Sequence, residues 1–339
     1  MNRPLRLGVL GCGRVYERFH LPAILRTPSI QLIAACDADP ARMGWAAEHT
    51  PSPARFTSLA ELLARSEIEA LLVLTPPESH AEVALQALQA GLHVLVEKPM
   101  ALTVQDGVRM ADTARRTGRR LQIGFTRRFR EPYRRLRDAL QALDRASLRA
   151  VHFELAFSTS GWNAHTDFLG DETRGGGVLH DVLSHQIDLI CWLLNGIPDE
   201  VQAVMDRGGG VLVELRFGTL TTRCHASHGS YADCLTIETA QGRVLEATGN
   251  SLRSTGLAFP ALRRARALLL DRVALLRDRM LRRPNVSLIS FERQFRDFEQ
   301  AVRGGSSVGA SAEEGVIGLR ILEACRESAR LGGTWRRLE

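Results

Sequence analysis

Two short stretches of this sequence carry residue types whose chemistry depends on their spacing. Gly11-Cys12-Gly13 closes an apolar run and precedes a helical pattern. Glycine lets a backbone turn tightly and approach a phosphate, and the helix start beyond it offers unpaired N–H groups to negative charge. Asp37 ends the next apolar run, 24 residues after Gly13. A carboxylate there can accept hydrogen bonds from both hydroxyls of an adenosine ribose and repel a 2′-phosphate. Its plainer reading is a strand-end aspartate starting the turn Asp37-Ala38-Asp39-Pro40. Loop and carboxylate together point to a dinucleotide site, although Tyr16 stands where the GxGxxG pattern has its third glycine.

The second stretch places Asp181, His185 and Asp188 four and three residues apart, so on a helix all three project from one face. Such a face can hold a metal, although a zinc site gathers three or four ligands in a closed shell and no further ligand cluster is evident. It can equally be a core histidine capped by a neighbouring aspartate.

The elements that must position these groups follow from the apolar pattern. Arg6 to Leu10, Ile30 to Cys36, Ala70 to Leu74, His93 to Val96 and Leu121 to Gly124 read as strands alternating with helices, the pattern of parallel βαβ units. Ser58 with Glu61 and the residue Thr103 mark helix starts, and Gly91 and Gly118 mark helix ends. Five strands with right-handed crossovers make a doubly wound sheet, a Rossmann-type domain over 1–123. From Leu148 the pattern changes to successive strands, 148–157, 201–205, 210–217, 220–227 and 234–238, with a hairpin at Gly218-Thr219. A helix over Val178 to Leu194 and helices over 290–302 and 312–331 complete a second α/β domain, 124–339, with an open, mainly antiparallel sheet.

Length and charge narrow the function class. A chain of 339 residues exceeds one ordinary core, hence two domains. Its apolar runs fall far short of the roughly 20 residues that span a bilayer, and the first residues lack a secretory apolar segment, which predicts a cytoplasmic protein. Six scattered cysteines without a CxxC pair predict neither disulfides nor structural zinc. Between Leu262 and Arg283 eight arginines stand against Asp271 and Asp278, which accounts for the whole net charge of +6. Leu262, Ala265, Leu269, Val273, Leu276 and Met280 draw an apolar stripe through that segment, within a basic helical insertion at about 252–285. The stripe packs internally, or the helix contacts an anionic membrane surface. Localised charge and 6% aromatic residues argue against nucleic acid.

The order of motifs resembles the family of glucose–fructose oxidoreductase, inositol dehydrogenase and the rhizopine-catabolism protein, the Gfo/Idh/MocA family. The resemblance is carried by GCGRV and FHLPAI at 11–24, CDADPAR at 36–42, LTPPESH at 74–80, VEKPMALT at 96–103, GFTRRF at 124–129, GGGVLHDVLSHQID at 175–188 and FERQFRDFEQAVRGG at 291–305. It implies an NAD-dependent dehydrogenase, with NADP the lesser choice, acting on a secondary alcohol of a sugar, cyclitol or nucleotide sugar. The implied cofactor contacts are Gly11, Cys12, Gly13, Arg14, Val15, Asp37, Arg42, Thr75, Pro76, His80, Glu97 and Lys98. The implied catalytic group is Lys98, Asp181 and His185, with His185 the proton acceptor, Asp181 its neighbour and Lys98 where nicotinamide and substrate meet. Arg127 and Trp162 join these three as implied substrate contacts, Arg127 and its neighbour Arg128 by meeting an anionic group. A homo-oligomer through the C-terminal sheet is implied as well. Relatives that use bound NAD to cleave glycosidic bonds, and relatives that only bind dinucleotide, are the alternatives. Leu183 departs from the pattern Asp-x-Gly-x-His, where the family has glycine.

Overall fold

The computed structural model of the chain describes residues 3–50, 53–65, 67–157, 174–255 and 286–338. These form two compact units, the first of residues 1–126 with 287–316 and the second of 127–286 with 317–339. A single division after residue 123 therefore differs from the observed one, because residues 287–316 return to the first unit. The reason is packing: Phe291, Phe295 and Phe298 of the helix Val286–Val302 are buried against Leu5, Leu7, Val9 and Ile24. Burying such a side chain stabilises by roughly 1.5–3 kcal/mol.

In the first unit, β1 (Leu5–Leu10), β2 (Ile30–Cys36), β3 (Ala54–Phe56), β4 (Ala70–Val73), β5 (His93–Val96) and β6 (Leu121–Ile123) pair in parallel. A two-residue strand, Ala310–Ser311, adds antiparallel to β6. The order across the sheet runs from that short strand through β6, β5, β4 and β1 to β2 and β3. The chain thus reverses direction across the sheet between β1 and β4, the place where doubly wound sheets bind ligands at the carboxyl ends of their strands. Two strands escaped the sequence reading, β3 and Ala310–Ser311, because two or three residues carry no measurable periodicity. The helix signals held: Ser58 Oγ accepts the Glu61 N–H, Thr103 Oγ1 accepts the Asp106 N–H, and Gly118 ends its helix at φ 64°.

The second unit is built on a mixed sheet. Its strands are β7 (Leu148–Phe157), β8 (Glu200–Met205), β9 (Val211–Phe217), β10 (Leu220–His228), β11 (Ala232–Thr239), β12 (Val244–Thr248) and β13 (Leu252–Thr255). Their order is β13-β12-β11-β7-β10-β9-β8, with Arg336–Arg337 pairing on β8, and only β7 with β10 is parallel. β12 and β13 were not expected, and β13 occupies the start of the segment read as a helical insertion. The basic segment 262–283 and Trp162 lie outside the described residues. On the sheet sits a helix that opens with a π segment, Leu179–Leu183, and continues as Ser184–Leu194. No helix among the described residues is long and apolar enough to cross a membrane.

Candidate functional site

The loop after β1 uses its two glycines differently. Gly11 has φ +98°, and a Cβ there would stand 2.7 Å from the Leu74 carbonyl group. Only glycine fits, and it seats the end of β1 against the end of β4. A Cβ on Gly13 would meet nothing closer than Arg42 Nη1 at 3.8 Å. The fold itself does not require glycine there, so its bareness leaves an open cradle over the helix start at Arg14 and Val15. That space and the helix N-terminus suit a pyrophosphate.

Asp37 is almost fully buried and organises this loop. Its Oδ2 accepts the Cys12 N–H at 2.7 Å and its Oδ1 accepts the Asp39 N–H at 2.9 Å. An ionised carboxylate has about four acceptor positions, so capacity remains for ribose hydroxyls. Arg42 lies alongside, Nη1 3.7 Å from Asp37 Oδ2 and Nε 3.5 Å from Asp39 Oδ2. The Cys12 amide is committed to Asp37 and its side chain is wholly buried, so this residue braces the carboxylate. Burial, then the Asp37 charge, pushes its thiol up to about 12.

Tyr16, in place of the third glycine, is fully buried, 3.2 Å from Thr50 Oγ1 through its hydroxyl and edge-on to Trp45. The helix takes a π turn over Tyr16–His20, starting at this residue. Inserted turns of this kind recur at functional sites.

At the end of β5, Glu97 and Lys98 are half-buried and the Lys98–Pro99 bond is cis. Glu97 Oε2 accepts the Lys98 N–H at 3.0 Å, while Oε1 lies 2.9 Å from His20 Nε2. Burial alone would raise the Glu97 pKa, but His20 and then Lys98 outweigh it and hold the carboxyl below its ordinary value. His20, which no motif spacing singles out, packs edge-on to Phe291 and Phe295. His80 ties neighbouring loops to this turn. Its Nδ1 is 2.7 Å from the Pro99 carbonyl oxygen and its Nε2 is 2.8 Å from that of Thr75. The ring is buried between these two loops and helps to place Thr75, Pro76 and the Lys98–Pro99 turn. Burial lowers its pKa, ahead of the opposing carbonyls.

In the second unit, Asp181 Oδ2 lies 3.0 Å from His228 Nε2 at the end of β10. His185 meets the Phe157 ring edge-on at 5.7 Å. Asp188 takes Arg128 Nη2 at 2.6 Å and Nε at 3.1 Å. Arg127 and Arg128 are corrected as anion binders. Both are buried; Arg127 Nη1 is 2.6 Å from Asp233 Oδ2, which Arg130 Nη1 also reaches at 3.0 Å. Their charges are already matched, and exposing either to a ligand would strip a buried carboxylate of its partner. Burial tends to raise the Asp233 pKa, yet Arg127 and Arg130 outweigh it and hold it low. Leu183 is wholly buried, so its bulk fills the protein interior and lines no open face. Among the described residues no group of three or more His, Cys, Asp or Glu side chains is placed to hold a metal ion.

Comparison with known proteins adds what geometry cannot. Residues 5–125 match the oxidoreductase family with an NAD-binding Rossmann fold, and residues 133–231 match the GFO/IDH/MocA C-terminal domain. The chain belongs to the Gfo/Idh/MocA oxidoreductase family. Among its relatives, a 1-carboxy-3-chloro-3,4-dihydroxycyclohexa-1,5-diene dehydrogenase of Comamonas testosteroni is 33% identical over 60% of this chain, and the match spans 51% of that relative's length. The rhizopine catabolism protein MocA of Rhizobium meliloti is 26% identical over 95% of this chain and 94% of its own. The fold matches the WlbA dehydrogenase of Bordetella pertussis, crystallised with NADH and UDP-GlcNAcA, at TM-score 0.83 and 22% identity, over 100% of this chain and 99% of the other. The loop at 11–15, Asp37 and the Glu97–Lys98 turn all lie within residues 5–125, the stretch that matches the NAD-binding family.

Proposed function

We propose that this protein is an NAD-dependent dehydrogenase acting on a ring secondary alcohol of a sugar, cyclitol or nucleotide sugar. The observation that carries the reading is the turn bearing Asp181 and His185, a buried carboxylate four residues before a buried imidazole, in a chain whose other unit is an NAD-binding domain. Bound NAD supplies a hydride acceptor. Removing hydride from a carbinol requires its hydroxyl proton to leave too, and His185 accepts that proton at a ring nitrogen. Asp181 holds the turn and offsets the positive charge that His185 gains. Lys98 stabilises negative charge developing on the substrate oxygen, with Glu97 fixing the backbone beneath it. The Comamonas testosteroni relative, named for a dihydroxycyclohexadiene, supports a ring alcohol as substrate.

The test is turnover. Protein denatured and cleared is first checked for carried NAD; intact protein is then offered sugars, cyclitols and nucleotide sugars while reduced nicotinamide is followed by absorbance. Net reduction is expected, with Lys98→Ala and His185→Ala each lowering kcat by roughly 10² to 10⁴. Release of a leaving group without net reduction would make the protein a hydrolase, and dinucleotide binding with neither would make it a binding protein.

Two partner proposals accompany this reading. Val204 and Leu212, paired across β8 and β9, are exposed beside Met205, and we assign this apolar face to a second copy of the chain, to be checked by light scattering of wild type and Leu212→Glu. The basic segment 262–283 is proposed to meet anionic lipid, which co-sedimentation with anionic vesicles at low and high salt decides.

A further inference from the structure

We propose that His228 is a positioning residue of the acid–base turn, holding Asp181 through Nε2 while its sheet neighbour Phe157 braces His185. The inference rests on the dehydrogenase reading of His185. Parallel pairing sets Phe157 directly beside His228 at the ends of β7 and β10. From these adjacent positions two side chains reach the same turn. His228 Nε2 meets Asp181 Oδ2 at 3.0 Å, and the Phe157 ring stands at 89° to the His185 imidazole with centroids 5.7 Å apart.

The surroundings support a fixed arrangement. Asp181 is 8% exposed, and a carboxylate so buried needs donors to remain ionised; His228, at 22%, supplies one while keeping an edge toward solvent. Phe157 is held in turn, since the Arg127 guanidinium lies 5.4 Å from its ring centroid and is itself locked to Asp233. One turn back, Ser184 Oγ donates to the His180 carbonyl oxygen at 2.6 Å and Arg326 Nη2 lies 3.3 Å from His180 Nδ1. The π segment Leu179–Leu183 widens the helix where Asp181 projects, so ordinary helical spacing does not by itself fix this carboxylate. His228 does so from outside the helix. With one carboxylate oxygen tied to the sheet through His228, and with the Phe157 ring against His185, the two strand ends fix both members of the turn.

The experiment compares His228→Leu, which removes the donor, with His228→Gln, whose amide can still donate to Asp181. In protein labelled with nitrogen-15 at histidine, at one pH and without substrate, His228→Leu should move the ring-nitrogen resonances of His185, and His228→Gln should return them toward wild type. On the substrate found by the panel, His228→Leu should lower kcat by roughly 10-fold to 10²-fold through misplacement of the base. Its KM and its NAD affinity should change by about twofold or less, and His228→Gln should recover most of kcat. Unmoved His185 resonances in a folded His228→Leu protein would overturn the inference, as would a His228→Gln protein no better than His228→Leu. If His228→Leu does not fold, Asp181→Asn carries the same test, read at the ring nitrogens of His228. Resonances that respond in a protein without turnover would sink the dehydrogenase reading and leave the positioning intact; turnover with unresponsive resonances would do the reverse.

Discussion

Arg42 and Arg127 each lie beside an aspartate, and the two pairs differ in almost every other respect. The Arg42 side chain is 39% exposed and 3.7 Å from Asp37, whereas Arg127 is 4% exposed and 2.6 Å from an Asp233 with no exposure at all. In the first pair the guanidinium is partly exposed and 3.7 Å from its partner, so water can replace that contact when it turns toward a ligand. In the second, Arg127, Arg130 and the Tyr133 hydroxyl all spend their hydrogen bonds on one carboxylate. Residue type is the same in both. Burial decides whether a charge serves a ligand or the fold.

The largest expected effect lies in the buried pair. Asp233→Ala leaves two arginines uncompensated and should cost about 3–5 kcal/mol in denaturant unfolding. A loss below about 1 kcal/mol would show that the cluster contributes little to stability. The same carboxylate predicts a pH dependence. Because Asp233 is held below its ordinary value, its contribution is complete above the unfolded value of about 3.9 and is lost as pH falls through the lower folded value. Stability of the wild type should therefore fall more steeply than that of Asp233→Ala between about pH 4 and pH 2, measured by thermal melts across that range.

The Asp37–Arg42 pair should instead govern cofactor choice. Wild type should bind NAD roughly 10² to 10⁴ times more tightly than NADP, taking about 1.4 kcal/mol per tenfold. Asp37→Asn keeps an acceptor for the Cys12 N–H and removes the charge, so calorimetric titration should show most of that preference gone while the fold is retained. Equal binding of both dinucleotides by wild type would break the assignment of Asp37 to the ribose. The smallest effect belongs to Arg42→Ala, which should change stability by less than about 1 kcal/mol. It should selectively weaken any residual NADP binding in the Asp37→Asn background.

Much of the first unit was legible because its signals are local. Apolar runs of four to seven residues marked β1, β2, β4, β5 and β6 nearly to the residue, and the glycine pair with Asp37 marked the corner that joins them. The shared helix face of Asp181, His185 and Asp188 was legible as a spacing, but the partner of Asp188 was not: it pairs with Arg128, 60 residues away. His228 carried only the weak signal of a polar strand end. Asp233 carried none, since nothing near it announces the arginine 106 residues earlier.

The sequence by itself determined most of the longer strands and helices, their order along the chain and the chemistry available at each loop. Those properties depend on periodicity, capping and glycine, which act over a few residues. Only the tertiary structure decided that 287–316 completes the first unit, that Cys12 and His80 brace the loops, and that Arg127 and Arg128 are already paired. Each of these outcomes turns on which side chains lose water together, and burial is a property of distant segments meeting, with no trace in the spacing along the chain.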